Sequence, residues 1–84
     1  MKKEAFVITE QVDGALDSSV IGVASTGDMA IGLINEYYQE HTLIEFRDVR
    51  DSGIEFIRTI QVNDYNGIPY KVKVTVLSFN VDEV

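Results

Sequence analysis

Asn66-Gly67 lies between two runs of alternating apolar residues, and this pair constrains the chain more than any other feature. Such a pair between alternating flanks is the strongest short-range signal for a β-hairpin. On the first flank, Ile54, Phe56, Ile60 and Val62 share one face. On the second, Tyr70, Val72, Val74 and Val76 do the same. Directly opposed residues lie on the same side of a sheet, so the two even-numbered sets must pair with each other. A loop of Asn66-Gly67 alone would set Val62 against Lys71 and Ile60 against Lys73, which brings charge to the core. A loop of Tyr65-Asn66-Gly67 pairs Val62 with Tyr70 and Ile60 with Val72. The predicted connection is therefore a type I turn closed by a bulge, with Gly67 at positive φ. Pro69 falls near the strand start, where a missing N–H is tolerated.

Two features complicate these strands. Arg58 falls between Phe56 and Ile60 on the apolar face. A bulge near Ile57 would turn it outward, or its stem would lie along the core with the guanidinium in water. Alternatively it points inward and grips a carboxylate of a ligand or partner. The second strand changes phase towards its end. Lys71, Lys73 and Thr75 make the odd face polar, whereas Leu77, Phe79 and Val81 make it apolar. Either a bulge near Val76 switches the faces or both faces are covered there. If nothing in the chain covers them, Ile57, Leu77, Phe79 and Val81 form an exposed apolar patch, the usual mark of an interface.

The chain before the hairpin supplies two strands and a helix. Glu4 to Val12 alternates, with Phe6, Ile8 and Val12 on one side and Ala5, Val7, Thr9 and Gln11 on the other. Apolar residues on both sides near its start predict an inner strand. Turn formers from Asp13 to Ser18 lead into a second strand, Ser19 to Ala24, completing a first hairpin. Gly22 weakens that strand unless a side chain from elsewhere fills the gap. Ser25 or Thr26 then caps a helix, with Asp28 suited to the positive end of its dipole. The periodicity of Ala30, Leu33, Ile34, Tyr37, Tyr38 and His41 predicts a helix to about His41 with one apolar face. Gly32, inside it, costs ~1 kcal/mol relative to alanine and is small enough to allow close packing on the sheet. Tyr37 and Tyr38 each carry a large apolar body and a hydroxyl that needs water or a partner. They read as the core edge, or with Arg58 as the lining of a small-molecule pocket between helix and sheet.

The run Val20-Ile21-Gly22-Val23-Ala24-Ser25-Thr26, followed by Ala30 and Ile34, resembles small uncharacterised bacterial and phage proteins. In those proteins a strand ending in Gly-hydrophobic-x-Ser/Thr leads into a helix. The resemblance implies an α+β fold and no assigned activity.

Leu43-Ile44-Glu45-Phe46 has strand composition, and Arg50-Asp51-Ser52-Gly53 is a turn into the hairpin. Thr42 to Val49 thus reads as a strand of a meander, or else as an irregular crossover from the helix. The order β-β-α-β-β-β predicts one two-layer α+β domain over residues 1–84. A single mainly antiparallel sheet of four or five strands carries the helix on one face. One helix covers only part of such a sheet, which leaves room for a second copy.

Composition narrows the function. With 84 residues and 45% hydrophobic side chains, the core is only marginally sufficient, and oligomerisation would add to it. Fourteen acidic side chains against seven basic ones argue against direct contact with nucleic-acid phosphates. There is no cysteine, which suits a reducing cytoplasm, and the apolar run after Met1-Lys2-Lys3-Glu4 is too short for a signal sequence or a membrane span. His41 is the lone histidine. It suits helix-end carbonyls better than a nucleophilic triad or a transition-metal site. Asp13 to Asp17 lacks the ligand density of a calcium loop, and no phosphate-cradling glycine pattern occurs. The expectation is a non-catalytic cytoplasmic interaction protein, without metal or cofactor, that forms a homodimer. One alternative is an acidic inhibitor or decoy for a basic surface on a nucleic-acid enzyme, using Asp13, Asp17, Glu45, Asp48 and Asp51. The other is the tyrosine–arginine pocket.

Overall fold

A computed structural model describes residues 2–82, and the side-chain surroundings of residues 4–80. In chain order the elements are β1 (Lys2–Val12), β2 (Ser19–Ala24), α1 (Gly27–Tyr37), β3 (Thr42–Asp51), β4 (Ile54–Asn63) and β5 (Pro69–Asp82). The strands form one sheet in the order β2-β1-β5-β4-β3, and every neighbouring pair is antiparallel. The fold is the α+β arrangement that the patterns predict. Thr42–Asp51 is a strand rather than an irregular crossover.

The β4–β5 hairpin has the predicted register. Val62 opposes Tyr70 and Ile60 opposes Val72. The Asp64 amide donates to the Ile68 carbonyl at 3.0 Å, which leaves Tyr65-Asn66-Gly67 as the loop, and Gly67 has φ +78°. Asp64 adds a local clamp, since its Oδ1 accepts the amides of Asn66 at 2.8 Å and Ile68 at 2.9 Å. Short acidic side chains favour such turns because they satisfy backbone donors that no strand reaches.

Long-range pairing assembles the rest. β1 and β5 run side by side without a register shift from Lys2 opposite Asp82 to Val12 opposite Val72. This pairing joins the N-terminal hairpin to the C-terminal meander and makes β1 the inner strand its composition predicts. α1 packs on β2 and β1. The Thr26 side chain caps it by accepting the Met29 amide at 3.1 Å. Leu33 lies over Gly22, where an added Cβ would meet its Cδ1 at 3.5 Å. That fills the gap the strand glycine leaves. Beneath the helix lies the core: Phe6, Ile8, Ala24, Ala30, Ile34, Tyr38, Phe56, Ile60, Val72, Val74 and Val76. Burying each large aliphatic side chain contributes about 1.5–3 kcal/mol.

Four expectations need correction. The helix stops at Tyr37, not His41, because Tyr38 leaves helical geometry at φ −111°, ψ 80° while its amide still reaches the Ile34 carbonyl at 2.9 Å. His41 Nδ1 lies 2.7 Å from the Tyr38 carbonyl oxygen and stands in for the next helical N–H. Gly32 faces open space, with nothing within 4 Å of an added Cβ, so it makes no close approach to the sheet. No bulge in β5 switches its faces at Val76, and none at Ile57 turns Arg58 outward. The shift lies between Ile54 and Phe56, where Ile54 opposes Leu77 and Phe56 opposes Val76. The extra residue there is Glu55, and it moves Ile54 off the core face onto the face of Leu77.

Candidate interaction surface

The straight course of β5 decides what its two faces do. Its even residues point under α1. Its odd residues point to a face that carries no covering element among the described residues. Laid across the sheet, one row of that bare face reads Val23, Val7, Leu77 and Ile54, and the next reads Val20, Thr9, Thr75, Ile57 and Arg47. Phe79 opposes Ala5 in a further row. Val20, Val23 and Phe79 are more than half exposed, and Ile54, Ile57, Leu77 and Val7 are partly exposed. The apolar rows give way to Lys71, Lys73, Thr59 and Gln61 towards the Gly67 turn.

The bare face brings together Ile57, Leu77 and Phe79, as the phase change in the sequence predicts. The side chain of Val81 lies outside the described residues, although its backbone pairs with Lys3. Sequence reasoning missed Val7, Val20, Val23 and Ile54. The doubly apolar start of β1 was the signal for Val7. Ile54 gave none, because the Glu55 bulge comes from fitting three strands together.

The pocket residues do not converge. Tyr38 is buried and its hydroxyl donates to the Glu10 carboxylate, so its polar end is already satisfied. Burial, then the hydrogen bond to Glu10 and the charge on that carboxylate, hold the hydroxyl protonated well above the usual tyrosine range. Tyr37 turns outward, 55% exposed, and meets Tyr38 edge-on with ring centroids 4.8 Å apart. Arg58 stays on the core face, opposite Val74 on one side and Phe46 on the other, and is half-buried. Glu10 also opposes Val74, so Arg58 and Glu10 stand two strands apart, roughly 10 Å. Two surface concavities are lined by other residues. One lies between the Val12–Ala15 loop and Thr59, Lys71 and Lys73, and the other lies around His41, Thr42 and Gln61.

The loop carboxylates do not merge into one patch. Asp13 lies beside Lys71, and Asp48 and Asp51 lie near the opposite end of the sheet, roughly 17 Å away along the strands. Glu45 sits on the bare face opposite Thr59. Arg50 neutralises part of the Asp48 end, with Nε 3.0 Å from Asp48 Oδ1 and 4.0 Å from Glu55 Oε1. Among the described residues, no group of three or more His, Cys, Asp or Glu side chains is placed to hold a metal ion. Among the same residues, no helix is long and apolar enough to cross a membrane. No protein-family model, curated protein or solved structure matches the chain.

Proposed function

We propose that this chain is a small, non-catalytic, cytoplasmic interaction module that assembles with copies of itself by stacking bare sheet face on bare sheet face. The observation that carries the reading is the pair of apolar rows built from Val7, Val20, Val23, Ile54, Ile57 and Leu77, with no covering element among the described residues. An exposed contiguous apolar surface is a cost in water that association removes.

Size and charge support a second copy as the occupant. Five strands at ~4.8 Å spacing and ~3.3 Å per residue give a face of roughly 800 Å2, the area one partner contributes to a standard interface. In a chain of net charge −7, β1 and β5 put no carboxylate on this face; it carries Ala5, Val7, Thr9, Gln11, Lys71, Lys73, Thr75, Leu77 and Phe79. A two-fold axis in the interface lays apolar rows on apolar rows, and the carboxylates this face does carry, Glu45 and Asp51, lie on the edge strand β3 at its rim. Two twisted sheets stack this way at ~10 Å separation with strands roughly 30° apart.

Sedimentation velocity at micromolar concentration tests the proposal. Replacing Leu77→Glu and Phe79→Glu together is expected to halve the assembly mass while far-UV circular dichroism stays unchanged. A folded wild-type chain that sediments as a monomer, or a double variant with undiminished mass, overturns it.

A further inference from the structure

The two edges of the sheet are not alike. β2 spans Ser19–Ala24, is irregular opposite Ile8 and Thr9, and lies beside α1. Short, bulged, covered edges are how sheets avoid pairing with other chains. β3 is longer, Thr42–Asp51, and its outer side faces solvent. Leu43, Ile44 and Phe46 on it are 47%, 46% and 50% exposed. Register shifts at Leu43/Glu45 and Asp48/Asp51 bracket one regular segment, Glu45-Phe46-Arg47-Asp48.

We infer that this segment pairs antiparallel with the same segment of a second copy, with Phe46 on the two-fold axis. The axis of such a pair is normal to the sheet, so each residue keeps its face and only residues on the same face can oppose. Four central registers satisfy that rule. Centring on Glu45 or on Asp48 sets two carboxylates against each other. Centring on Arg47 sets two guanidinium groups against each other and Phe46 against Asp48. Centring on Phe46 sets Glu45 of each copy against Arg47 of the other, and the two phenylalanine rings together. Like charges directly opposite destabilise a strand pair, whereas opposite charges and aromatic pairs stabilise it. Charge therefore selects one register, and the strand is complementary to itself there.

The core of each copy supports the central contact. Phe46 already leans on Phe56, with ring centroids 5.5 Å apart, so its ring is held at the edge. The bulges limit the ladder to the regular segment. Pairing β3 to β3 joins two sheets into one of ten strands. Its axis is perpendicular to the one in the stacked faces, and where the two axes meet both contacts together close a tetramer and leave only the short β2 edges free.

The decisive experiment starts from the Leu77→Glu, Phe79→Glu chain, in which the stacked face is disabled. This chain is expected to sediment as a dimer. Adding Arg47→Glu brings four carboxylates together and is expected to raise the dissociation constant roughly tenfold or more. Adding Glu45→Arg as well exchanges the charges and restores the dimer. A monomer before Arg47 is touched overturns β3 pairing and leaves face stacking standing. So does a dimer indifferent to Arg47→Glu. If the starting chain fails to fold, Leu77→Ser with Phe79→Ser takes its place, because Arg47 and Glu45 also lie on the stacking face and must be tested with that face disabled. The mass falls by half with Arg47→Glu and is restored by the charge exchange if β3 pairs, and stays constant if it does not.

Discussion

The two faces of β5 share one backbone and one set of neighbouring strands, yet they end in different environments. Val72, Val74 and Val76 are 1%, 0% and 0% exposed beneath the helix side. Leu77, one residue on, is only partly buried, and Phe79 is 51% exposed. The residue types are comparable, so what lies over the sheet decides the burial. A strand carries apolar side chains to both of its faces, but the one helix among the described residues packs on one face only, over β2 and β1. The bare face is left for another molecule, and its apolar rows lie at the end of the sheet where β1, β2, β4 and β5 all contribute.

The sharpest way to break the contrast is to cut equivalent isoleucines on the two faces of β4. Ile60 is fully buried on the covered face, and Ile57 is partly exposed on the bare one. Ile60→Ala is expected to cost about 2–5 kcal/mol through lost transfer energy and a cavity. Urea denaturation should show this at every protein concentration. Ile57→Ala should cost much less in dilute solution, and its cost should grow as protein concentration rises. Equal, concentration-independent losses would mean that nothing docks on the bare face.

A smaller effect is expected at the seam between helix and sheet. Tyr38→Phe removes the hydrogen bond to Glu10, at a cost of about 1.5 kcal/mol. The wild type also carries a pH dependence that the variant should lose. The folded chain holds the Tyr38 proton above the usual tyrosine range, whereas the unfolded chain releases it near pH ~10. Unfolding therefore releases a proton above that pH, and stability falls as pH rises through the alkaline range. Below pH ~10 both states hold the proton and the contribution is constant. Denaturation midpoints that decline in parallel for wild type and variant would remove Tyr38 as the cause.

The smallest effect has the opposite sign. Gly32 lies on the solvent side of α1 with open space around it. Gly32→Ala is expected to stabilise the chain by about 1 kcal/mol by reducing the entropy lost on helix formation. Thermal unfolding would register the gain, and the assembly mass should not change. A loss of stability would mean that something docks on the outer side of the helix, and that the bare sheet face is not the preferred surface.

Much of the covered face is legible in the residue pattern alone. Ile60, Val72, Val74 and Val76 follow from alternation, and their pairing follows from the loop length that keeps Lys71 and Lys73 out of the core. The candidate surface is only half legible. Leu77 and Phe79 announce themselves by the phase change, and Ile57 follows as their neighbour. Ile54 does not, because its face depends on the Glu55 bulge, which no local preference encodes. Arg58 is likewise undecided in sequence. It remains in phase with Phe56 and Ile60 because the bulge comes before Phe56, not at Ile57.

By itself the sequence determined what short-range chemistry can enforce. That includes the Tyr65-Asn66-Gly67 turn, a helix cap at Ser25 or Thr26, the alternation of each strand and the resulting α+β class. Only the tertiary structure decided that β1 lies against β5, where the helix ends, and which apolar rows stay uncovered. Those outcomes depend on contacts between segments up to some eighty residues apart, such as Lys2 and Asp82. Closing so long a loop costs entropy that local preference cannot offset, so the partner strand is settled only when the whole sheet and its helix pack together.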